Sequence, residues 1–196
     1  MSIKYLIAQR VKRLEKGRPF FITKFSSAGS RSAVNKAISE LVLAGLLERV
    51  ARGVYMRPKS NSYIGPIRPN SLTVMRVITS AKGETTQIHG AEAVRRLGLS
   101  TQMQILPTFY TSGSTREIQI GLSIVRLKHV SKDRLQHAGT KVGLVLTALH
   151  YVGKQGLTKE ILSKVTDQLS KDELRELLDC RMPKWMRSVL MSWPIN

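Results

Sequence analysis

The strongest constraint in this sequence lies between Ser30 and Arg57, where a helix-period pattern stops at one glycine and a strand-period pattern starts at once. Val34, Ala37, Ile38, Leu41 and Val42 recur at helical spacing, Ser30 stands where an N-cap belongs, and Gly45 ends the run. Leu46–Val50 and Val54–Arg57 then read as two strands around the tight turn Ala51-Arg52-Gly53. Such a helix must bury its stripe against the hairpin and a second helix. A partner is present upstream: Ile3, Leu6, Ile7, Val11 and Leu14 predict a helix over about 2–16, ended by Gly17 and Pro19. Between the helices, Pro19–Thr23 is β-like and Ser26-Ser27-Ala28-Gly29 has room for one helical turn. The order helix, turn, helix, hairpin predicts a winged helix-turn-helix over residues 1–57.

Residues 58–70 hold three prolines and Gly65 and are expected to be a linker. Residues 71–196 are expected to form a second α+β domain, with a small sheet followed by C-terminal helices, so the chain as a whole is α+β. Helices are predicted over 72–81 and 90–97. Strands are predicted over 85–88, 105–110, 117–120 and 123–127, with turns at Ser112-Gly113-Ser114 and Gly121. The last part reads as helices over about 138–152, 158–168, 171–180 and 183–192. Thr158 and Ser170 are expected caps, and Ser170 with Glu173 matches a capping box. Trp185, Met186, Leu190 and Trp193 serve either helix packing or a partner patch.

Charge narrows the partner. The chain has 32 Lys and Arg against 13 Asp and Glu, net +19. Residues 1–60 carry 13 basic and 3 acidic groups, so over half the excess sits in under a third of the chain. A polyanion is the expected partner, because each neutralised phosphate releases a condensed counterion. On the predicted second helix the face opposite the apolar stripe carries Arg31, Ser32, Asn35, Lys36 and Ser39, beside the cap Ser30. Arg reads guanine, Asn reads adenine and Ser reads either, and the first turns of a recognition helix enter the major groove. Arg49, Arg52 and Arg57 on the hairpin are expected to hold backbone or minor groove. Lys24, Arg95, Arg96, Arg126 and Lys128 are candidate additional phosphate contacts, with surface solubility as the alternative.

Other chemistry finds no support. His89, His129, His137 and His150 have no metal-ligand spacing, and the lone Cys180 allows neither an internal disulfide nor a multi-cysteine zinc site. Ser112–Arg116 lacks the lysine and following helix of a phosphate-binding loop. No nucleophile elbow or carboxylate pair appears, so neither catalysis nor a cofactor is expected. The apolar run Val142–Val152 is too short to span a bilayer, and the N-terminus has no signal-peptide apolar run. A cytoplasmic protein without membrane partners is expected.

Leu41–Val50 followed by Arg52-Gly53-Val54-Tyr55 resembles the winged helix of AbiEi-type antitoxins. Leu106-Pro107-Thr108, Ile120-Gly121 and Leu127-Lys128-His129-Val130 are similar in layout to the companion domain of that family, so the resemblance extends over nearly the full chain. It implies an antitoxin of a phage-defence toxin–antitoxin operon. Such a protein would bind duplex DNA at repeats in its own promoter. Its second domain would neutralise a nucleotidyltransferase-like toxin, directly or functionally. A winged-helix regulator with no toxin, whose second domain senses a ligand or dimerises, is the alternative; a basic RNA-binding or ribosome-associated protein is a third.

Overall fold

The computed structural model describes residues 2–192 and is an α+β protein of two units: residues 1–83 with 118–125, and residues 84–117 with 126–196.

The first unit opens with α1 (Ile3–Lys12), then β1 (Phe20–Phe21), a 3-10 helix (Ile22–Ala28) and α2 (Arg31–Leu43). The Ser30 side chain accepts from the Ala33 N–H, so the expected cap sets the start of α2. Val34, Ala37, Ile38 and Leu41 are buried, and they meet Ile7 and Val11 of α1 and Phe25 of the 3-10 helix in one core. Each of the Val, Ile, Leu and Phe side chains, fully buried, contributes about 1.5–3 kcal/mol, and the Ala37 methyl less. The sequence reading placed Ile22 and Thr23 in a strand. The structure ends the strand at Phe21: Ile22 makes the last backbone bond to the hairpin, donating to the Gly53 carbonyl, and the chain then turns into the 3-10 helix that buries Phe25 edge-on against Phe20.

The hairpin is β2 (Glu48–Ala51) and β3 (Val54–Met56), with β1 on the far side of β3, giving the order β1-β3-β2. Gly53 turns the hairpin with φ +77°, where a β-carbon would also meet the Phe21 ring at 3.0 Å. A register shift between Arg49 and Ala51 marks a bulge in β2.

Beyond β3 the expected linker is structured. β4 (Ser60–Asn61) and β5 (Gly65–Pro66) form a second, short hairpin. α3 (Ser71–Ala81), capped by Asn70, lies against β1 and β3, so it groups with the first unit and not with the later domain to which the sequence reading assigned it. The reason is apolar cover: Val74, Met75 and Ile78 are buried there, and Val54 and Met56 on β3 are buried too.

In the second half of the chain β6 (Thr86–Ile88), β7 (Thr108–Thr111), β8 (Arg116–Ile120) and β9 (Ser123–His129) make a sheet in the order β6-β7-β9-β8. β6 and β7 are antiparallel and β7 and β9 parallel. The strand expected from Ile105 starts only at Thr108, and Ile105 is fully exposed. Pro107 has no N–H to pair, though its carbonyl accepts from Arg126. The Ser112–Ser114 turn is committed internally. Thr85 N–H donates to Ser112 Oγ, Gly113 N–H donates to Thr111 Oγ1, and Arg116 grips Glu84 at 2.6 Å.

α4 (Gly90–Arg96) and α5 (Lys141–Gly156, broken at Gly153) pack with α6 (Lys159–Thr166), α7 (Lys171–Asp179) and α8 (Lys184–Ser192) around a second core. The Ser170–Glu173 capping box is present in full, and Thr158 caps α6. Met186 and Leu190 are buried in this core and Trp185 packs against it, which favours helix packing over a partner patch for those three. Trp193 lies outside the described residues. Among the described residues no helix is long and apolar enough to cross a membrane.

Candidate nucleic-acid interface

Burial of the stripe on α2 turns its other face outward. Ser30, Arg31, Ser32, Asn35, Lys36 and Ser39 are all exposed. Ser30 and Ser32 pair with each other through their hydroxyls at 3.2 Å. Arg31, Asn35 and Lys36 make no side-chain hydrogen bond or ion pair among the described residues, so their donors and acceptors are uncommitted. Arg31 and Asn35 stand one turn apart on the first two turns of the helix.

The one acid on α2, Glu40, would repel a polyanion. Lys4 of α1 reaches it at 2.9 Å, and this hydrogen bond and charge hold the Glu40 carboxyl below the usual carboxylate range. Lys4 was not among the residues picked out from the sequence. Only the packing of α1 on α2 brings it to Glu40, across 36 positions of chain.

On the hairpin, Arg49 is exposed on β2 and Arg52 is exposed in the turn, and neither has a side-chain partner among the described residues. Arg57 has a different position from the one expected. Its guanidinium donates to the carbonyls of Lys12 and Leu14, both at 2.7 Å, and its backbone pairs with Lys16 and Gly17. It satisfies carbonyls at and just beyond the end of α1, and both of its Nη1 donors are spent there, while Nε and Nη2 have no partner among the described residues.

Of the additional candidates, Lys24 is exposed on the 3-10 helix of the first unit. The other four belong to the second unit and differ from one another. Arg95 makes a two-pronged bond to Glu92, at 2.7 and 2.8 Å, and Arg96 reaches the same carboxylate at 2.8 Å. Those bonds hold Glu92 down to about 2. Arg126 is paired with Glu117 at 2.7 Å. Lys128 alone of the four is exposed with no acid partner among the described residues.

Charge follows this division. The first unit carries sixteen Lys and Arg against three acids, net +13, and the second sixteen against ten, net +6. From Arg49 to Gly83 there is no Asp or Glu at all.

The second unit holds one polar, aromatic cluster of its own. His89 Nδ1 accepts from the Ala91 N–H at 3.3 Å and lies 2.8 Å from Gln104 Nε2, so the ring proton belongs on Nε2. The His89 ring lies 4.8 Å from the Tyr110 ring, which carries the Arg134 guanidinium 5.0 Å from its centroid. Burial, then the charges of Lys128 and Arg134, push the His89 pKa down; burial and Arg134 do the same to His150. The cluster contains no acid, and among the described residues no group of His, Cys, Asp or Glu is placed to hold a metal ion.

No curated protein matches the chain. A family model described as a family of unknown function, DUF6088, matches residues 6–177, and the chain therefore belongs to that family.

Proposed function

We propose that this chain is a sequence-recognising duplex DNA-binding protein whose first unit is a winged helix-turn-helix, with α2 as recognition helix and β2–β3 as wing. The observation that carries this reading is the exposed, uncommitted face of α2. Arg31, Asn35 and Lys36 stand at the helix start, the neighbouring acid is neutralised by Lys4, and the surrounding unit carries +13. The groups suit a major groove: Arg and Asn each offer two hydrogen bonds to one purine edge. Arg49 and Arg52 suit phosphates flanking the helix. Cytoplasmic residence accords with the single, buried cysteine, Cys180.

The deciding experiment is a footprint and an affinity series on the region upstream of the gene for this chain. A protected site is expected there, with preference for duplex over single-stranded RNA. For three neutralised phosphates the affinity falls about fortyfold as salt rises from about 50 to about 200 mM. Affinity indifferent to salt, or equal affinity for RNA of any sequence, would remove the proposal.

The resemblance to AbiEi-type antitoxins extends the reading to a biological role: repression of its own promoter and neutralisation of a nucleotidyltransferase-like toxin, with the second unit facing the toxin. The full chain, co-expressed with the product of the adjacent gene, is expected to restore growth that the product alone arrests. An adjacent product that is harmless, or that stays toxic beside soluble full-length chain, rejects the antitoxin role and leaves a regulator without a toxin.

A further inference from the structure

Residues 58–70 do more than connect. Ser60 pairs with Pro66 and Asn61 with Gly65, and Ile67 N–H donates to the Lys59 carbonyl at 2.8 Å, continuing the ladder at the base. The turn is braced from inside, since Tyr63 N–H donates to the Asn61 side-chain oxygen at 2.8 Å. The base is tied down at two points. The Lys59 stem lies over Gly17 with no room for a β-carbon between them, and Arg68 pairs with Glu48 of β2 at 2.6 Å.

This anchored ribbon carries Tyr63 and Ile64 at its tip, 94% and 74% exposed. Adjacent large apolar side chains on a braced tip gain nothing from the fold, because they touch no core. The chain around them has one sign. Seven Lys and Arg and no acid lie from Arg49 to Gly83; at the base of the ribbon Arg68 is spent on Glu48, and Lys59 has no acid partner among the described residues. That charge complements a polyanion and disfavours a basic protein surface. A narrow ribbon with a phenol ring and a branched aliphatic chain at its tip, and cations behind it, has the form of a wedge for a base step.

We propose that the Tyr63–Ile64 tip inserts between two base pairs of duplex DNA, unstacking the step and bending the helix, while Lys59 meets a flanking phosphate. The proposal rests on the DNA-binding reading and deepens it. It adds a contact that selects steps by how readily they unstack, and pyrimidine–purine steps do so most readily. Recognition then has two parts, base edges read by α2 and deformability read by the ribbon.

The test uses the full chain and short duplexes tiling its upstream region, each with 2-aminopurine at one TA step and a dye pair at its ends. Wild-type protein is expected to raise 2-aminopurine emission severalfold at one step and to shorten the end-to-end distance. The double variant Tyr63→Ser/Ile64→Ser should lose both signals and bind about tenfold more weakly, as expected when a base loses its stacking partner. Its salt slope should stay the same, because no phosphate contact is removed. Both side chains are exposed, so the thermal melt should be unchanged and reports folding. Wild-type protein that binds duplex with flat emission and no bend overturns the wedge and leaves the DNA reading standing. So does a double variant that keeps the bend, or one that binds DNA normally but loses a protein partner. Absence of duplex binding by wild-type protein overturns both.

Discussion

Replacing Arg31 and Asn35 together by alanine is expected to lower affinity for the preferred duplex about a thousandfold while changing affinity for scrambled duplex far less. Both residues lie on the exposed face of α2, one turn apart, with no side-chain partner among the described residues. Each can form a two-pronged pair with one purine, and a lost pair costs about 2 kcal/mol of discrimination. Two such pairs make about 4 kcal/mol, and each 1.4 kcal/mol is tenfold. Arg49→Ala and Arg52→Ala should instead weaken binding to every sequence and flatten the salt slope by about one per lost phosphate contact. Arg57→Ala forms the contrast. Its guanidinium is bonded to the Lys12 and Leu14 carbonyls, so the variant should lose stability and keep its sequence preference. The measurement is anisotropy against preferred and scrambled duplexes for each variant. If the α2 variants lowered both affinities equally, α2 would be a phosphate-binding helix and its role as reader would fall.

The second large effect concerns folding. Gly143→Ala is expected to destabilise the second unit by about 3 kcal/mol, the upper part of the range for overpacked sites. Gly143 lies in the first turn of α5, with the Thr140 side chain accepting from its N–H. A β-carbon there would run into the backbone carbonyl of His137 and come within 2.8 Å of Gln87 Nε2. The nearest atoms are main chain, so no rotamer change relieves the clash. His137 is itself held at φ +51°, and its carbonyl already accepts from the Thr140 N–H and hydroxyl. Gln87 is buried as well. A drop in melting temperature on the order of 10 °C is expected by calorimetry. An unchanged melt would mean that the segment before α5 yields freely and that this contact does not organise the unit.

The two experiments draw on different kinds of information. The α2 stripe, the Ser30 cap and the Gly53 turn were all readable as pattern, because each depends on a local requirement: a period, a side-chain acceptor for an open N–H, or a positive φ. The Ser170–Glu173 capping box was readable for the same reason. The outward position of Arg31 and Asn35 followed once the stripe was assigned, since one face of a helix fixes the other.

What the pattern of residues could not supply was which distant groups compete for each side chain. Arg57 reads as one more basic residue on a hairpin; only the approach of the end of α1 turns it into a cap. Lys4 and Glu40 read as two unrelated charges until α1 packs on α2. Arg95, Arg96 and Arg126 read as free cations, yet each is bonded to a carboxylate. Local signals for the first two existed, since Glu92 stands at helical spacing from both. The prolines of residues 58–70 suggested a linker, but a few cross-strand bonds and the anchors at Gly17 and Glu48 made a hairpin of it. α3 went to the first unit because its apolar face found cover on β1 and β3. The sequence alone determined the helices, the hairpin turn and the basic character of the first part of the chain, through rules that act over a few residues. Which cations remain available to a ligand, and where one unit ends, was decided by tertiary packing, because ion pairing and apolar cover depend on groups that the chain brings together only when folded.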